Sequence, residues 1–343
     1  MNPGMTRVVL ASRPEGKPNL ANFSLETSAL PEPAEGQFLA RTIWLSLDPY
    51  MRGRMSATRS YAKPVEIGEA MEGACVAQIV TSRHQGFAAG DYVMAPLGWV
   101  SHGLSDGTGV IKLNPDTAPL STALGVLGMP GMTAWTGLNL IAQAKAGETV
   151  LISAATGAVG SLAGQLAHAK GMKVIGVAGG AEKCAYAVEM FGYDHCIDHR
   201  AFTDAHSMTE ALAAVAPDGI DVYFENVGGI TLQATLPLMR QHGRIAVCGL
   251  IAWYSGQGME KAVPSPAVMF SILSQRLKVE GFIVSDHYQH LDDFLAEVAP
   301  MVVDGRITYR ETVSDGLETA PDAFLKMLEG GNFGKQLVRV AAE

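Results

Sequence analysis

Residues 155–160 read Ala-Thr-Gly-Ala-Val-Gly, between an apolar run ending near Ser153 and a helical pattern opening at Ala158. The spacing matches G-x-G-x-x-G with alanine in the first slot. In that pattern Gly157 lets backbone amides approach a pyrophosphate, Ala158 and Val159 carry the turn into the helix, and Gly160 lets the helix pack close to the sheet. The unpaired N–H groups and partial positive charge of a helix N-terminus complete a phosphate cradle. Small residues at this spacing also mark any tight strand–helix turn, so the flanking strand and helix carry the reading.

The end of the next strand selects between dinucleotides. A ribose 2′-hydroxyl calls for a carboxylate there, about 20 residues past the first glycines. This chain has Ala178-Gly-Gly-Ala-Glu-Lys183 instead, and Arg200 follows the third strand. A cation without the acid suits a 2′-phosphate, hence NADP; the competing reading is a solvated lysine neutralised by Glu182. Other chemistries test negative. The sequence has no H-E-x-x-H, and His287 and His290 lack further ligands nearby. It has no P-loop, and no tyrosine is followed four positions on by lysine.

These residues need elements to hold them. A chain of 343 residues is long enough for two domains and a core that needs no staple. Hydrophobic residues make up 48% and charged residues 17%, which excludes a disordered chain. The net charge of −9, without a Lys/Arg block, does not suit wrapping nucleic acid or an anionic membrane. Thr117–Ala144 and Thr149–Ala169 hold no charged side chain other than His168, but their glycines, prolines and polar residues read as buried α/β core rather than membrane spans. Cys75, Cys184, Cys196 and Cys248 form no C-x-x-C pair. A reducing compartment, the cytoplasm, is expected, and no signal peptide is visible.

Residues 1 to about 115 read as short strands and turns, among them 38–40, 76–80 and 92–95. Thereafter strands near 148–153, 173–178, 195–198, 220–224, 244–248 and 277–284 interleave with helices, including 158–170 and 184–191. Six such strands imply a doubly wound parallel sheet. After about 300 the chain returns to strand (307–313), helix (321–328) and strand (336–340), a tail that could close the first domain.

Several longer pieces, in order, resemble one family: Leu47-Asp-Pro-Tyr-Met-Arg52, Gly128-Met-Pro-Gly-Met-Thr-Ala134, Ala154-Ala-Thr-Gly-Ala-Val-Gly-Ser161, Tyr223-Phe-Glu-Asn-Val-Gly-Gly229, Gly243-Arg-Ile-Ala-Val-Cys-Gly249 and Gly331-Asn-Phe-Gly-Lys335. The chain is similar nearly end to end to the medium-chain dehydrogenase/reductases. Within them it resembles the zinc-independent branch of prostaglandin reductases, plant double-bond reductases and bacterial curcumin reductases. The resemblance implies an α/β protein: a GroES-like β-rich catalytic domain (1–120 and 305–343) around a Rossmann NADP-binding domain (121–304). It implies a homodimer, a small-molecule enone or enal substrate, and NADPH-dependent reduction of its C=C bond. Zinc relatives place a cysteine where this chain has Asp48-Pro49-Tyr50, and they carry a four-cysteine lobe absent here, so no metal is expected.

Carried over residue by residue, the resemblance assigns the pyrophosphate to Gly157–Gly160 and the 2′-phosphate to Lys183, with His199 beside it. Family members usually have tyrosine at position 199 and often serine at 180; His199 could make NADP binding pH-sensitive and Gly180 removes a hydrogen bond. Asn226, Cys248, Gly249 and Tyr254 would line the cofactor, Phe282, Ile283 and Val284 would border the nicotinamide, and Asn332 would reach it from the tail. Tyr254 matches the family's proton donor to the developing enolate, with Tyr50 as second choice. A quinone reductase on the same fold and a non-catalytic NADPH-binding protein are the alternatives.

Overall fold

Continuous apolar runs build the centre of the parallel sheet. Thr149–Ser153 is buried at every position, as expected of a strand covered on both faces. The computed structural model describes residues 4–259, 262 and 264–343. It divides the chain into two compact units, Met1–Gly128 with Glu311–Glu343, and Met129–Arg310. These divisions fall several residues beyond the positions expected from the sequence.

In chain order the strands are β1 (Gly4–Leu10), β2 (Phe23–Ala29), β3 (Phe38–Leu47), β4 (Cys75–Ser82), β5 (Tyr92–Ala95), β6 (His102–Ser105) and β7 (Ile111–Leu113), then β8 (Thr149–Ser153), β9 (Lys173–Ala178), β10 (His195–Asp198), β11 (Ile220–Glu225), β12 (Met239–Val247) and β13 (Lys278–Gly281), and finally β14 (Glu311–Asp315) and β15 (Lys335–Arg339).

In the first unit, β1 and β2 pair with each other, and a seven-stranded sheet runs β14-β15-β3-β4-β5-β7 with β6 also on β3. The tail therefore does close this unit. Helix Ala320–Leu328 buries Ala320, Ala323, Phe324 and Met327 at helical spacing. Phe324 meets the Trp99 ring edge-on at 5.6 Å, and Phe23 stacks on Trp99 at 5.7 Å. Such aromatic pairs add about 0.5–1.5 kcal/mol each beyond their burial.

The second unit holds a six-stranded sheet, β10-β9-β8-β11-β12-β13, in which every pairing is parallel. This is the doubly wound 3-2-1-4-5-6 order, with its direction reversing between β8 and β11. Helices cover both faces. Helix Ala205–Val215 packs Met208 and Leu212 onto Leu151, Ile175 and Tyr223. Helix Gly160–Ala169 buries its first eight residues. The last strand is shorter than expected: it stops at Gly281, Phe282 turns into the core, and a 3-10 turn opens at Val284. No helix among the described residues is long and apolar enough to cross a membrane.

Candidate active site

The chain leaves β8 through Ala154, which takes a left-handed φ of 52°. Gly157 N–H donates back to the Ala154 carbonyl at 2.9 Å, closing the turn, and the helix opens at Gly160. A Cβ on Gly160 would lie 2.3 Å from that same carbonyl oxygen, so only glycine fits there. Gly157 differs. Its Cβ would meet only Ala154, the carbonyl at 3.2 Å, and its φ is not left-handed. Packing within the protein thus demands glycine at 160, whereas the space beside 157 is open to a ligand. The turn is held from behind by buried Tyr193, whose hydroxyl donates to the Gly160 carbonyl at 2.8 Å. Sequence reasoning passed over Tyr193, because nothing local signals a contact to a residue 33 positions away.

Beyond β9 the chain bends at Gly180, with φ 104°. The amides of Gly180 and Arg200 both donate to Asp198 Oδ1, at 2.8 and 3.0 Å. Burial works against the Asp198 charge, and these amides outweigh it, holding its carboxyl below the usual range. With both amides bound, Asp198 orders the loop. A Cβ on Gly179 would lie 2.9 Å from His199 Nε2 and 3.1 Å from Arg200 Nε, so both side chains cover this bend. Lys183 sits half-buried in the first turn of helix Ala181–Phe191. Burial lowers its pKa, the Arg200 charge adds to this, and Glu182 opposes as the smallest influence. Burial likewise lowers the His199 pKa; Asp198 opposes, and Arg200 and Lys183 add to the lowering. Three basic side chains therefore gather at the end of β9, each within the field of the others.

At the reversal point, Asn226 follows β11 and bonds across to β8. Its backbone N–H donates to Ser153 Oγ at 2.8 Å and its side-chain amide to the Ser153 carbonyl at 2.7 Å. Buried Glu225 accepts from Ser153 Oγ (3.0 Å), Tyr223 Oη (2.8 Å), and the amides of Val227 (2.6 Å) and Gly228 (2.9 Å). Burial raises its pKa against those donors. Glu225 stands within the Tyr223–Gly229 motif, and only the fold reveals its organising role. Its carbonyl accepts from the amides of Cys248 and Gly249, and Val227 and Asn226 carbonyls accept from Ala252 and Ile251. The loop carrying Tyr254 is thereby pinned to the end of β11. Tyr254 Oη accepts from Leu250 N–H at 3.3 Å. Burial pushes the Cys248 thiol up to about 12, so it stays protonated. Phe282 turns its ring onto Phe224, leaving half-buried Ile283 and Val284 past the end of β13.

Thus Gly157, Ala158, Val159, Gly160, Lys183, His199, Asn226, Cys248, Gly249, Tyr254, Phe282, Ile283 and Val284 all follow carboxyl ends of the parallel strands, where doubly wound sheets bind ligands. Tyr50 and Asn332 belong to the first unit. The Asn332 amide donates to the Gly334 carbonyl at 2.7 Å. Tyr50 opens the short helix Met51–Arg54, with the buried Arg54 guanidinium 5.4 Å from its ring centroid and paired to Glu72. Burial, then the Asp48 and Glu72 charges, raise the Tyr50 pKa far above that of an ordinary phenol. Asp48 itself accepts from Lys335 Nζ at 2.5 Å, a pair buried in the first unit.

A Rossmann sheet with a glycine turn, inserted between segments of a β-rich GroES-like unit, defines a medium-chain dehydrogenase/reductase. Residues 6–113 match the family described as the N-terminal domain of oxidoreductase, and 158–299 the family described as zinc-binding dehydrogenase. The chain belongs to the zinc-independent branch of the medium-chain dehydrogenase/reductases. It is 46% identical over 339 residues to the NADPH-dependent curcumin reductase of Escherichia coli (strain K12), covering 98% of this chain and 97% of that one. It is 43% identical over 329 residues to prostaglandin reductase 1 of Rattus norvegicus, covering 95% and 96%. The crystal structure of CurA from Vibrio vulnificus in complex with NADPH superposes with a TM-score of 0.93 at 46% identity, over 98% of this chain and 100% of that one.

Proposed function

We propose that this protein is an NADPH-dependent reductase of the C=C bond of α,β-unsaturated ketones and aldehydes. The observation that carries the cofactor assignment is the gathering of Lys183, His199 and Arg200 at the end of β9, where the strand runs into Gly179 and Gly180 and the nearby Asp198 carboxylate is bound to the Gly180 and Arg200 amides. The residues present fit NADP: amides at 157–160 would hold the pyrophosphate beside the open Gly157, and the three basic side chains the 2′-phosphate. Asn226, Cys248, Gly249 and the 282–284 segment would border the rest of the cofactor. The names of the curcumin and prostaglandin reductases support the substrate class.

When bound, NADPH supplies the hydride that adds to the β-carbon. Negative charge then develops on the carbonyl oxygen, and a donor aimed at it acts mainly in the transition state. Tyr254 is that donor. Accepting from Leu250 N–H polarises its hydroxyl and strengthens it as a donor. Tyr50, held protonated by burial, is a second phenol for substrate contact. The assay is an enone with NADPH or NADH and identification of the product. A saturated ketone formed preferentially with NADPH supports the reading; turnover of quinones alone overturns it.

The protein is also proposed to be a homodimer through its parallel sheet. β13 is an edge strand, and helix Ser265–Gln275, packed on the neighbouring β12, exposes Phe270 (69%) and Leu273 (75%). Long apolar side chains on an open sheet edge suit a second copy of the same edge.

A further inference from the structure

Two of the four cysteines lie on packed neighbouring elements beside the basic cluster. Ile197 on β10 packs with Ile175, Met208 and Leu212 on one side of the parallel sheet. Side chains alternate along a strand, so its neighbour Cys196 faces the other side. Helix Ala181–Phe191 covers that side, and its buried stripe is Cys184, Ala187 and Phe191. The helix packs directly on β10, and the Cys184 and Cys196 thiols are near enough for each to perturb the other's titration. Both are free thiols; Cys184 is buried and Cys196 partly exposed. Cys184 directly follows Lys183, and Cys196 precedes the Asp198-His199-Arg200 bend.

We propose that Cys184 and Cys196 are a peroxide-oxidisable dithiol whose disulfide weakens binding of the cofactor's 2′-phosphate. The oxidant is a hydroperoxide. One thiol takes its terminal oxygen to become a sulfenic acid, and the peroxide is reduced to water or an alcohol. The second thiol displaces that hydroxyl as water and forms the S–S bond, so two thiols lose two electrons and two protons. The neighbouring Cys196 side chain holds the Cys184 thiol below its ordinary range, which favours Cys184 as the first sulfur oxidised.

Bond formation draws the sulfurs to about 2.05 Å, closer than any thiol contact. The first turn of the helix, with Lys183, moves toward β10. The His199–Arg200 bend is tied to Gly180 through Asp198, so the cations shift relative to one another. The glycine turn after β8 lies on neither cross-linked segment. The disulfide therefore acts on NADPH and spares NADH. This consequence rests on reading the cluster as the 2′-phosphate site; the cross-link itself does not.

The experiment treats the full-length protein with hydrogen peroxide, blocks remaining thiols with iodoacetamide, and digests with trypsin. Residues 184–200 form one tryptic peptide containing both cysteines. The expected result is that peptide unalkylated and lighter by two hydrogens, a severalfold higher KM for NADPH, an unchanged KM for NADH, and reversal by dithiothreitol. Cys184→Ser and Cys196→Ser must each abolish the mass change and the KM shift. A doubly alkylated peptide after peroxide, or a formed disulfide with unchanged KM for NADPH, overturns the proposal. If the untreated protein shows no preference for NADPH over NADH, the cofactor reading fails instead, while the peptide mass still judges the dithiol.

Discussion

The side-chain amide of Asn226 donates to the carbonyl of Ser153 at 2.7 Å, joining the ends of two strands that lie 73 residues apart in the chain. Ser153 Oγ completes the lock by accepting from Asn226 N–H and donating to Glu225. The start of the glycine turn and the base of the Tyr254 loop are thereby fixed to one rigid junction. Under the proposed function, a turn that holds the cofactor and a Tyr254 donor fixed this way need little reordering when substrate arrives, which is where orientation contributes to rate.

Tyr254→Phe tests the donor directly. Loss of a single oxyanion donor lowers turnover by about 100- to 1,000-fold. The expected outcome is a fall in kcat of that order on an enone, with a smaller change in the KM for NADPH. Steady-state kinetics decide it, and an undiminished kcat removes Tyr254 from the reaction.

Lys183→Ala and Arg200→Ala test the phosphate cluster. A charge-assisted hydrogen bond is worth about 1.5–3 kcal/mol, so the KM for NADPH should rise roughly tenfold or more in each. The KM for NADH should stay near the wild-type value. Equal losses with both coenzymes would mean that neither side chain meets the 2′-phosphate.

His199 carries a pH signature. Burial lowers its pKa from the model-peptide value of 6.5, so the ring is mainly neutral at neutral pH. As pH falls through the lowered value the ring gains a proton and adds positive charge to the cluster. The KM for NADPH of the wild type should therefore fall relative to that of His199→Gln as pH drops from about 7 to about 5, with no such divergence for NADH. Comparison with the variant cancels protonation of the coenzyme's own phosphate. Parallel pH profiles for the two proteins would contradict the assignment.

The two glycines of the turn should separate stability from binding. Gly160→Ala drives a Cβ to 2.3 Å from the Ala154 carbonyl, an overpacking cost of about 1–3 kcal/mol that urea unfolding should register. Gly157→Ala meets that carbonyl only at 3.2 Å and should change stability little. Its Cβ instead occupies the open space proposed for pyrophosphate, so NADPH and NADH titrations should both weaken. Normal coenzyme affinity in folded Gly157→Ala would refute the cradle.

The sheet edge is tested by size. The wild type should sediment as a dimer, and Phe270→Asp with Leu273→Asp as a monomer, because two carboxylates cannot be buried unpaired. A monomeric wild type, or a dimeric double variant, would exclude this edge as the interface.

What the sequence alone determined was short-range. Apolar runs located four of the six parallel strands closely and fixed their alternation with helices, because periodicity and turn residues act over a few positions; β12 starts five residues earlier than expected, at Met239, and β13 ends three residues sooner. The glycine spacing, and Gly179-Gly180 where a ribose-binding carboxylate would end the strand, predicted a phosphate site for the same reason. The tertiary structure decided how far strands run and which distant polar groups meet. β3 extends for ten residues, well past the three apolar positions that announced it, because neighbouring strands cover it. Lys335 pairs with Asp48 across 287 residues, Tyr193 reaches the Gly160 carbonyl, and Glu225 gathers four donors. No local pattern encodes such pairings. A buried charge or hydroxyl is tolerated only where the fold supplies its partner, and that supply is set once the whole chain has packed.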